Sequence, residues 1–234
     1  MDSVSNLRRA KLSAAKKAME FIVDAEVIGV GTGSTVEVFI SLLGESMSEW
    51  RDRVFAASSI DTALKLGDLG FKVLYPVSIE KLDVYVDGAD EVDKGLNMIK
   101  GGGAALTLEK IMTYYSDRRV FIVDYTKLVD YLGEKHPVPL DVQQQALNLV
   151  CRYLSKRGYK PKIRYATKGK YGPIISDVGG VIVDIYPQKK FDPLELEREL
   201  TSLPGVIETG LFIGLADFVV VGYGERAKVL KRGR

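Results

Sequence analysis

Short apolar runs alternate with segments of helical spacing through the first half of the 234-residue chain. The segments between the runs carry apolar residues three or four positions apart, which is typical of helices packed on one face. Strands that alternate with helices predict an α/β fold, with a parallel sheet covered by helices on both faces. The runs predicted as strands are Val27–Val30, Val54–Ala57, Lys72–Tyr75, Asp83–Val86 and Val120–Val123.

The pattern changes beyond the middle of the chain and indicates a smaller α+β unit. Phe218–Gly222 is again fully apolar, which predicts a strand that returns to the first sheet. We therefore predict residues 133–205 as an inserted α+β domain and residues 1–132 with 206–234 as the catalytic domain. The basic end, residues 228–234, is expected to be a solvated tail. The elements predicted in the insertion are helices over Val142–Lys156 and Asp192–Leu200 and strands over Tyr159–Tyr165 and Val181–Tyr186.

Four carboxylates lie in Asp87–Asp93, directly after a predicted buried strand, and are followed by Lys100, Gly101–Gly103 and Glu109. Acids at the carboxyl end of a buried strand are costly unless they bind something. The glycine run lets backbone approach a ligand closely. This combination predicts a small polar substrate that undergoes proton transfer. Because four acids repel a phosphate, we expect them to face the hydroxyl end of the substrate. A solvated acidic turn or a hydrated Mg²⁺ site remains an alternative, although the spacing of a Ca²⁺ loop is absent.

A second glycine-rich segment, Gly29–Thr35, follows the first predicted strand. It lacks the dinucleotide-binding fingerprint, because Ser34 stands where the third glycine is required. It still offers backbone N–H groups and three hydroxyls at a predicted helix N-terminus, which is a natural site for one phosphate. An ordinary capped turn between a strand and a helix is the alternative interpretation.

Glu109 and Lys127 can each be interpreted as a site residue or as an ordinary surface residue. A lone glutamate near the start of a helix is usually a surface residue, but Lys100 and the neighbouring acids favour a proton shuttle here. Lys127, in Asp124–Lys127, follows another predicted strand and adds a cation at the same sheet edge. A solvated loop lysine is an equally good interpretation of Lys127.

Composition excludes several classes of function. The single histidine, His136, and the single cysteine, Cys151, exclude Ser-His-Asp catalysis, a His-rich metal site and an intrachain disulfide. One cysteine also fits a reducing cytoplasm. The net charge of +2 is too small to indicate a nucleic-acid partner. No apolar run approaches the roughly 20 residues of a membrane helix. We expect no metal, no membrane partner and a cytoplasmic location.

Taken together, four segments closely resemble type A ribose-5-phosphate isomerase in their residues, order and spacing. The likeness runs over nearly the whole chain and includes Ser176–Gly180 and Val206–Leu215. The resemblance implies a Rossmann-like domain with an inserted α+β domain, no cofactor, and a homodimer or homotetramer. The segments are Gly31–Thr35, Asp87–Asp93, Lys100–Gly103 with Glu109, and Asp124–Lys127.

The resemblance also implies roles for single residues. Glu109 is the implied general base, and Lys100 stabilises the developing oxyanion. Asp87 and Asp90 hold hydroxyls and assist ring opening, and Lys127 contacts substrate or phosphate. Lys11 matches an N-terminal lysine of the family. The implied substrate-binding positions are Lys11, Thr32, Gly33, Ser34, Thr35, Asp87, Gly88, Ala89, Asp90, Lys100, Gly101, Gly102, Gly103 and Lys127.

The implied reaction interconverts D-ribose 5-phosphate and D-ribulose 5-phosphate through a cis-enediolate, in non-oxidative pentose phosphate metabolism. A non-catalytic sugar-phosphate sensor, or a related sugar-phosphate isomerase or deaminase, is the alternative. Three positions depart from the family pattern. Leu108 stands where arginine is common, and Val178 and Gly180 interrupt a stretch that commonly reads Asp-Asn-Gly-Asn. These departures concern local packing or contacts between subunits more than the chemistry.

Overall fold

The computed structural model of the chain describes residues 3–167, 169, 171–187 and 189–233. Across these residues, no helix has the length and apolar character needed to cross a membrane. The helices are α1 (Ser3–Ala18), α2 (Ser34–Glu45), α3 (Met47–Trp50), α4 (Ile60–Asp68), α5 (Leu106–Tyr114), α6 (Leu147–Lys156) and α7 (Pro193–Thr201). The strands are β1 (Val27–Val30), β2 (Val54–Ala57), β3 (Lys72–Leu74), β4 (Leu82–Asp87), β5 (Glu91–Val92), β6 (Met98–Ile99), β7 (Ser116–Asp124), β8 (Val138–Val142), β9 (Lys160–Ile163), β10 (Val181–Tyr186), β11 (Val206–Thr209), β12 (Leu211–Phe212), β13 (Phe218–Tyr223) and β14 (Arg226–Lys231).

The chain divides into two compact units. The first contains the described residues of 1–89, 109–128 and 215–234, and the second those of 90–108 and 129–214. The second unit is therefore longer than the insertion predicted over 133–205. The reason is a three-stranded sheet, β12-β6-β5, whose hydrogen bonds tie the segment before residue 108 to β12. The predicted domain boundaries stay a prediction.

The first unit is built on a seven-stranded sheet in the order β14-β13-β7-β4-β1-β2-β3. All neighbouring strands are parallel except β13 and β14, which are antiparallel. Successive side chains of a strand point to opposite faces. Accordingly Val84 and Val86 pack with α1 and α2 on one face, and Tyr85 packs with Met112 of α5 on the other. The predicted α/β fold with a mainly parallel sheet is confirmed.

The basic end of the chain is not a solvated tail, so that interpretation was wrong. Residues 226–231 form β14, the edge strand that pairs with β13 along its whole length. Ala227 and Val229 pack against the main core, while Lys228 and Arg226 alternate with them. The alternation has a period of two, which is typical of a strand with one covered face. An edge strand rich in lysine also discourages pairing with another sheet.

The second unit contains an antiparallel sheet in the order β11-β8-β10-β9, with α6 and α7 packed on its core. The helix predicted from Val142 begins instead at Leu147, because Val138–Val142 is strand β8. Pro139 caused the error, since proline argues against a central strand. Here the Pro139 carbonyl still accepts a hydrogen bond from the Gly210 N–H at 2.7 Å.

Candidate active site

Strands β1 and β4 are neighbours in the first unit, but the chain leaves them in opposite directions. From β1 it continues to β2 and β3 on one side, and from β4 it continues to β7 on the other. Such a switch point leaves a crevice outside the carboxyl ends of the strands, where ligands bind in α/β sheets. The loop that begins at Gly31 and the acid Asp87 lie on the two sides of this point.

Asp87 is completely buried at the end of β4, and hydrogen-bond donors surround both oxygens of its carboxylate. Its Oδ1 accepts hydrogen bonds from the Thr32 N–H at 3.1 Å and the Gly88 N–H at 2.6 Å. Its Oδ2 accepts one from the Tyr85 hydroxyl at 2.6 Å. A Cβ at Gly31 would lie 1.9 Å from this carboxyl, so only glycine fits there. The structure therefore brings together three of the predicted positions, Thr32, Asp87 and Gly88.

Tyr85 was not predicted as a site residue. Burial raises the pKa of Tyr85 well above its usual value of 10, and the charges of Asp87 and Glu109 raise it further. The phenol therefore stays protonated and remains a donor to Asp87. A tyrosine two residues before an acid at a strand end was the available signal, because both side chains then point to the same face.

A cluster of hydroxyls supports the loop after β1, and sequence reasoning missed it as well. The Thr32 hydroxyl donates to Ser59 Oγ at 2.7 Å and lies 3.3 Å from Ser58 Oγ. Thr62 donates to the Gly31 carbonyl at 2.7 Å. These hydroxyls lie at the end of β2 and the start of α4, so they fix the loop from the neighbouring strand. The available signal was the cluster of hydroxyl residues directly after β2.

The N-terminus of α2 forms a site suited to an anion. Gly33 and Ser34 are exposed there, whereas Thr35 is buried. Lys11 of α1 places its Nζ 2.9 Å from Ser34 Oγ. A helix N-terminus carries a partial positive charge and free N–H groups, and the ammonium group adds a full charge. The structure thus joins Lys11 to the predicted phosphate loop.

Glu109 and Lys127 are the remaining charged residues among the predicted site positions of the first unit. Glu109 lies in the first turn of α5 and is 3% exposed. Its backbone carbonyl accepts a hydrogen bond from the Thr113 hydroxyl at 2.6 Å, which secures this turn. Lys127 is half-buried in a short 3-10 helix, Tyr125–Lys127, which is capped by the Asp124 carboxylate. This carboxylate accepts from the Thr126 N–H at 3.0 Å.

The second unit carries Asp90, Lys100 and the glycine run. Asp90 Oδ2 accepts a hydrogen bond from the Gly102 N–H at 2.8 Å. Lys100 is 3% exposed, and its Nζ lies 5.5 Å from the centre of the Phe212 ring. Its backbone N–H donates to the Gly210 carbonyl at 2.9 Å. Within the glycine run, Gly102 and Gly103 are exposed and Gly101 is buried. The remaining predicted position, Ala89, belongs to the first unit and is half-buried.

Two acids of the Asp87–Asp93 segment have structural roles instead of facing a substrate. Glu91 is completely buried, and its carboxylate accepts from the N–H groups of Gly133, Lys135 and His136 at 2.6–2.7 Å. Asp93 accepts from the Asn97 N–H at 2.8 Å and closes a turn. The expectation that all four acids meet substrate hydroxyls was wrong for these two. Among the residues described, no three His, Cys, Asp or Glu side chains are grouped to hold a metal ion.

The positions that depart from the family pattern lie in the second unit. Leu108 is half-buried and Val178 is 40% exposed. Gly180 packs against the buried carboxyl of Asp141, where a Cβ would lie 1.7 Å from Oδ1. Burial raises the pKa of Asp141, and hydrogen bonds from Thr107 and Ser176 partly oppose this. Gly180 therefore makes room for a buried carboxyl.

Comparisons with known proteins agree over nearly the whole chain. Residues 54–226 match the family model of ribose 5-phosphate isomerase A (phosphoriboisomerase A). The ribose-5-phosphate isomerase A of Pyrococcus horikoshii is 44% identical over 229 residues, which are 97% of this chain and 100% of that protein. A solved D-ribose-5-phosphate isomerase in complex with phospho-erythronic acid has a TM-score of 0.91 at 43% identity, covering 97% of this chain and 100% of that one. Ribose 5-phosphate isomerase A from Methanocaldococcus jannaschii has a TM-score of 0.88 at 38% identity, covering 94% and 97%.

The parallel sheet and its polar switch point, with these comparisons, define an α/β enzyme of the isomerase class. The chain belongs to the ribose 5-phosphate isomerase A family. The resemblance inferred from the sequence motifs is confirmed, and so is the expectation of an enzyme that isomerises D-ribose 5-phosphate.

Proposed function

We propose that the chain interconverts D-ribose 5-phosphate and D-ribulose 5-phosphate through a cis-enediolate, in non-oxidative pentose phosphate metabolism, with Glu109 as the general base. The observation that carries this proposal is the burial of Glu109, which is only 3% exposed in the first turn of α5. A carboxylate held away from bulk water exchanges a proton with a bound substrate more readily than with solvent.

The proposed chemistry starts from the open-chain sugar. Glu109 removes the proton from C2, the electrons of that bond form a double bond between C1 and C2, and the C1 carbonyl oxygen becomes an oxyanion. Glu109 then returns the proton to C1, while the proton on O2 passes to O1 and leaves a ketone at C2. The developing charge on O1 is what the site must stabilise.

We assign the remaining roles of the proposed machinery residue by residue. In the first unit, the Thr32–Thr35 loop and Lys11 bind the phosphate, Asp87 holds a hydroxyl and assists ring opening, and Lys127 contacts substrate or phosphate. In the second unit, Lys100 and the backbone of Gly101–Gly103 stabilise the oxyanion, and Asp90 holds a hydroxyl. The buried Asp87 and the contact of Lys11 with Ser34 support these assignments.

The ligand of a solved relative supports the enediolate. That enzyme was solved with phospho-erythronic acid, a phosphorylated four-carbon acid. Its carboxylate has two coplanar oxygens that share a negative charge, as the two oxygens of an enediolate do. A site complementary to a reactive intermediate binds stable mimics of that intermediate tightly. We infer that the same acid inhibits this chain.

We also propose that the protein is a cytoplasmic homodimer or homotetramer without a nucleic-acid or membrane partner. The family resemblance supports the oligomer, and the single cysteine fits a reducing compartment. Size-exclusion chromatography with light scattering tests the assembly, for which a mass equal to one 25.8 kDa chain is the contrary result.

The proposed function is tested by ketose formation from ribose 5-phosphate, with EDTA present and without nucleotide. Turnover should be the same with and without the chelator, because Lys100 and backbone N–H groups do the electrophilic work. Loss of turnover in EDTA that Mg²⁺ or Mn²⁺ restores would contradict this mechanism. Binding of ribose 5-phosphate without ketose formation would favour the sensor.

A further inference from the structure

The Gly101–Gly103 run forms a turn, and two carbonyl groups of this turn accept hydrogen bonds from the side chain of Arg164. The Nη1 group of Arg164 donates to the Gly101 carbonyl at 2.8 Å and to the Gly102 carbonyl at 3.1 Å. The turn is closed by a hydrogen bond of 3.1 Å from the Ala104 N–H to the Gly101 carbonyl. Gly101 has a φ of +106°, a conformation that side-chain-bearing residues rarely adopt.

Arg164 is itself held rigidly by the four-stranded sheet. Its Nε donates to Asp184 Oδ2 at 2.8 Å, and its Nη2 pairs with the other carboxylate oxygen. The two side chains are 20% and 11% exposed. The backbone of Arg164 is fixed as well, because its N–H donates to the Ile182 carbonyl at 2.9 Å and its carbonyl accepts from the Ile174 N–H at 2.8 Å. These contacts, none of which involves the glycine turn, fix the position of the guanidinium group.

Fixing the two carbonyls also fixes two N–H groups. In a planar trans peptide, the carbonyl of one residue and the N–H of the next point in opposite directions. With the Gly101 carbonyl on Arg164, the Gly102 N–H points away and donates to Asp90 at 2.8 Å. With the Gly102 carbonyl on the same guanidinium, the Gly103 N–H points away from it as well. Gly103 is exposed, so the residue that carries this N–H is open to solvent.

We propose that Arg164 is a positioning residue that aims the Gly103 N–H at the oxyanion formed during isomerisation. This inference rests on the proposed function of Lys100 and the glycine run. Arg164 does not touch the substrate. It holds the peptide planes of the turn, so that an N–H donor is in place before charge develops. Preorganised donors of this kind stabilise a transition state without a cost of reorganisation during the reaction.

The experiment uses two variants and a matched control. The double variant Arg164→Met/Asp184→Asn removes the guanidinium and also the charge that would otherwise be left buried. Arg164→Lys keeps a cation beside Asp184, but an ammonium group cannot reproduce the planar fork that reaches both carbonyls. The control is Arg157→Met, which removes an exposed arginine of the same unit that contacts Tyr153 and Glu199.

The measurements are kcat, KM and the inhibition constants of phospho-erythronic acid and inorganic phosphate, on variants whose circular dichroism matches the wild type. In the double variant we expect kcat to fall roughly 10- to 100-fold, the usual effect of a small misplacement of a catalytic group. The inhibition constant of phospho-erythronic acid should rise by a comparable factor, because its carboxylate uses the same donor. KM and the phosphate constant should stay within about two-fold. Arg164→Lys should show the same pattern to a smaller extent, and Arg157→Met should match the wild type.

Two results would overturn the inference alone. One is a folded double variant, or a folded Arg164→Lys protein, with wild-type kcat and wild-type affinity for phospho-erythronic acid. The other is a parallel loss of phosphate affinity, which would show that the substitution disturbs the protein beyond the glycine turn, because the proposed phosphate site lies in the first unit. A wild-type chain that forms no ketose from ribose 5-phosphate would overturn the proposed function and this inference with it.

Discussion

Asp87 is a carboxylate without exposed surface, and three hydrogen-bond donors make that position tolerable. A buried charge is costly unless donors replace the water that it loses. The Thr32 and Gly88 N–H groups occupy one oxygen and the Tyr85 hydroxyl the other. Because Tyr85 is also buried and stays protonated, it remains a donor and fixes the orientation of the Asp87 carboxylate.

Glu109→Gln tests the proposed base. The amide keeps the shape of the side chain and loses its basicity, so kcat should fall by about 10²- to 10⁴-fold while KM changes little. Steady-state kinetics of ketose formation give both constants. Glu49→Gln, the same change at an exposed acid of α3, is the control and should behave as the wild type. A near-normal kcat in Glu109→Gln would remove this residue from the mechanism.

Lys11→Met tests the assignment of the phosphate end. Lys11 contacts Ser34 at the N-terminus of α2, so its loss should weaken binding of the anion. We expect KM and the inhibition constant of inorganic phosphate to rise together by roughly 5- to 20-fold, with a smaller change in kcat, since the contact is made in both ground and transition states. Lys16→Met, at an exposed position of the same helix, is the control. Unchanged phosphate inhibition in Lys11→Met would place the phosphate elsewhere.

At the scale of elements, Glu91 organises the loop that follows β7. It gathers three backbone N–H groups of residues 133–136 around one buried carboxylate. Charge-assisted hydrogen bonds of this kind are about twice as strong as neutral ones. The acid therefore stabilises a connection of the second unit, although it lies in the same short segment as Asp87 and Asp90, the acids proposed to bind substrate.

Glu91→Gln should lower the free energy of unfolding by about 2–4 kcal/mol, because an amide accepts fewer and weaker bonds and buries a donor. KM for ribose 5-phosphate should stay close to the wild-type value at a temperature where the variant is folded. Urea denaturation and kinetics measure the two effects. Glu134→Gln is the matched control, because Glu134 is an exposed acid in the loop that Glu91 holds and accepts one hydrogen bond, from the Asp130 N–H at 3.0 Å. Its substitution should lower stability much less than that of Glu91. A raised KM with unchanged stability would return Glu91 to the substrate site.

The sequence predicted strands and helices well where burial of apolar side chains alone determines the element. Val27–Val30 and Val54–Ala57 are strands with the predicted bounds, because apolar runs between turn residues form buried parallel strands. Strand β8 was missed because Pro139 opposes a strand, and its place in the sheet depends on pairing with β10 and β11 from distant parts of the chain. Strand β14 was missed because its charged residues obscured the alternating Ala227 and Val229.

The chemistry of the site was only partly predictable for a similar reason. Spacing in the sequence singled out Asp87, Lys100 and Glu109, because each belongs to a recognisable motif. It could not separate Glu91 from Asp87, since the difference lies in which donors surround each carboxylate in the folded chain. Tyr85 and Arg164 carry no motif, and their contacts are visible only in the folded chain. Tyr85 donates to Asp87 two residues along the same strand, and Arg164 donates to the carbonyl of Gly101.

At the scale of the whole molecule, acid stability depends on carboxylates that are paired in the folded state. Asp217 is one of them, because its carboxylate accepts from the Arg119 backbone N–H and Nε at 2.9 Å and from Nη2 at 2.7 Å. Burial favours a higher pKa for Asp217, but the hydrogen bonds from Arg119 outweigh it and lower the pKa below the usual 3.8. The unfolded chain then binds this proton more readily, so the stabilisation is present above about pH 4 and is lost as the pH falls through the folded pKa.

Asp217→Asn should lower the free energy of unfolding at pH 7 by about 1–2 kcal/mol, a value reduced for the partial exposure of the pair. The difference from wild type should begin to shrink as the pH falls below about 4, where the unfolded wild-type chain takes up the proton, and should continue to shrink down to the lower pKa of the folded protein. Denaturant unfolding at several pH values measures this. Asp52→Asn, the same change at an exposed acid of the first unit, is the control and should behave as the wild type at every pH. A difference that stays constant down to pH 2 would show that Asp217 acts through its shape alone.

In the proposed mechanism, one base carries a proton between two carbons of ribose 5-phosphate. The most direct measurement follows deuterium from C2 of the substrate into the product and the solvent, with nuclear magnetic resonance of ribulose 5-phosphate formed in ordinary water. If Glu109 is this base, part of the label reaches C1 and the rest is lost to water while Glu109 holds it. Complete transfer of the label, with no solvent proton entering C1, would indicate direct hydride transfer and exclude a proton-carrying base.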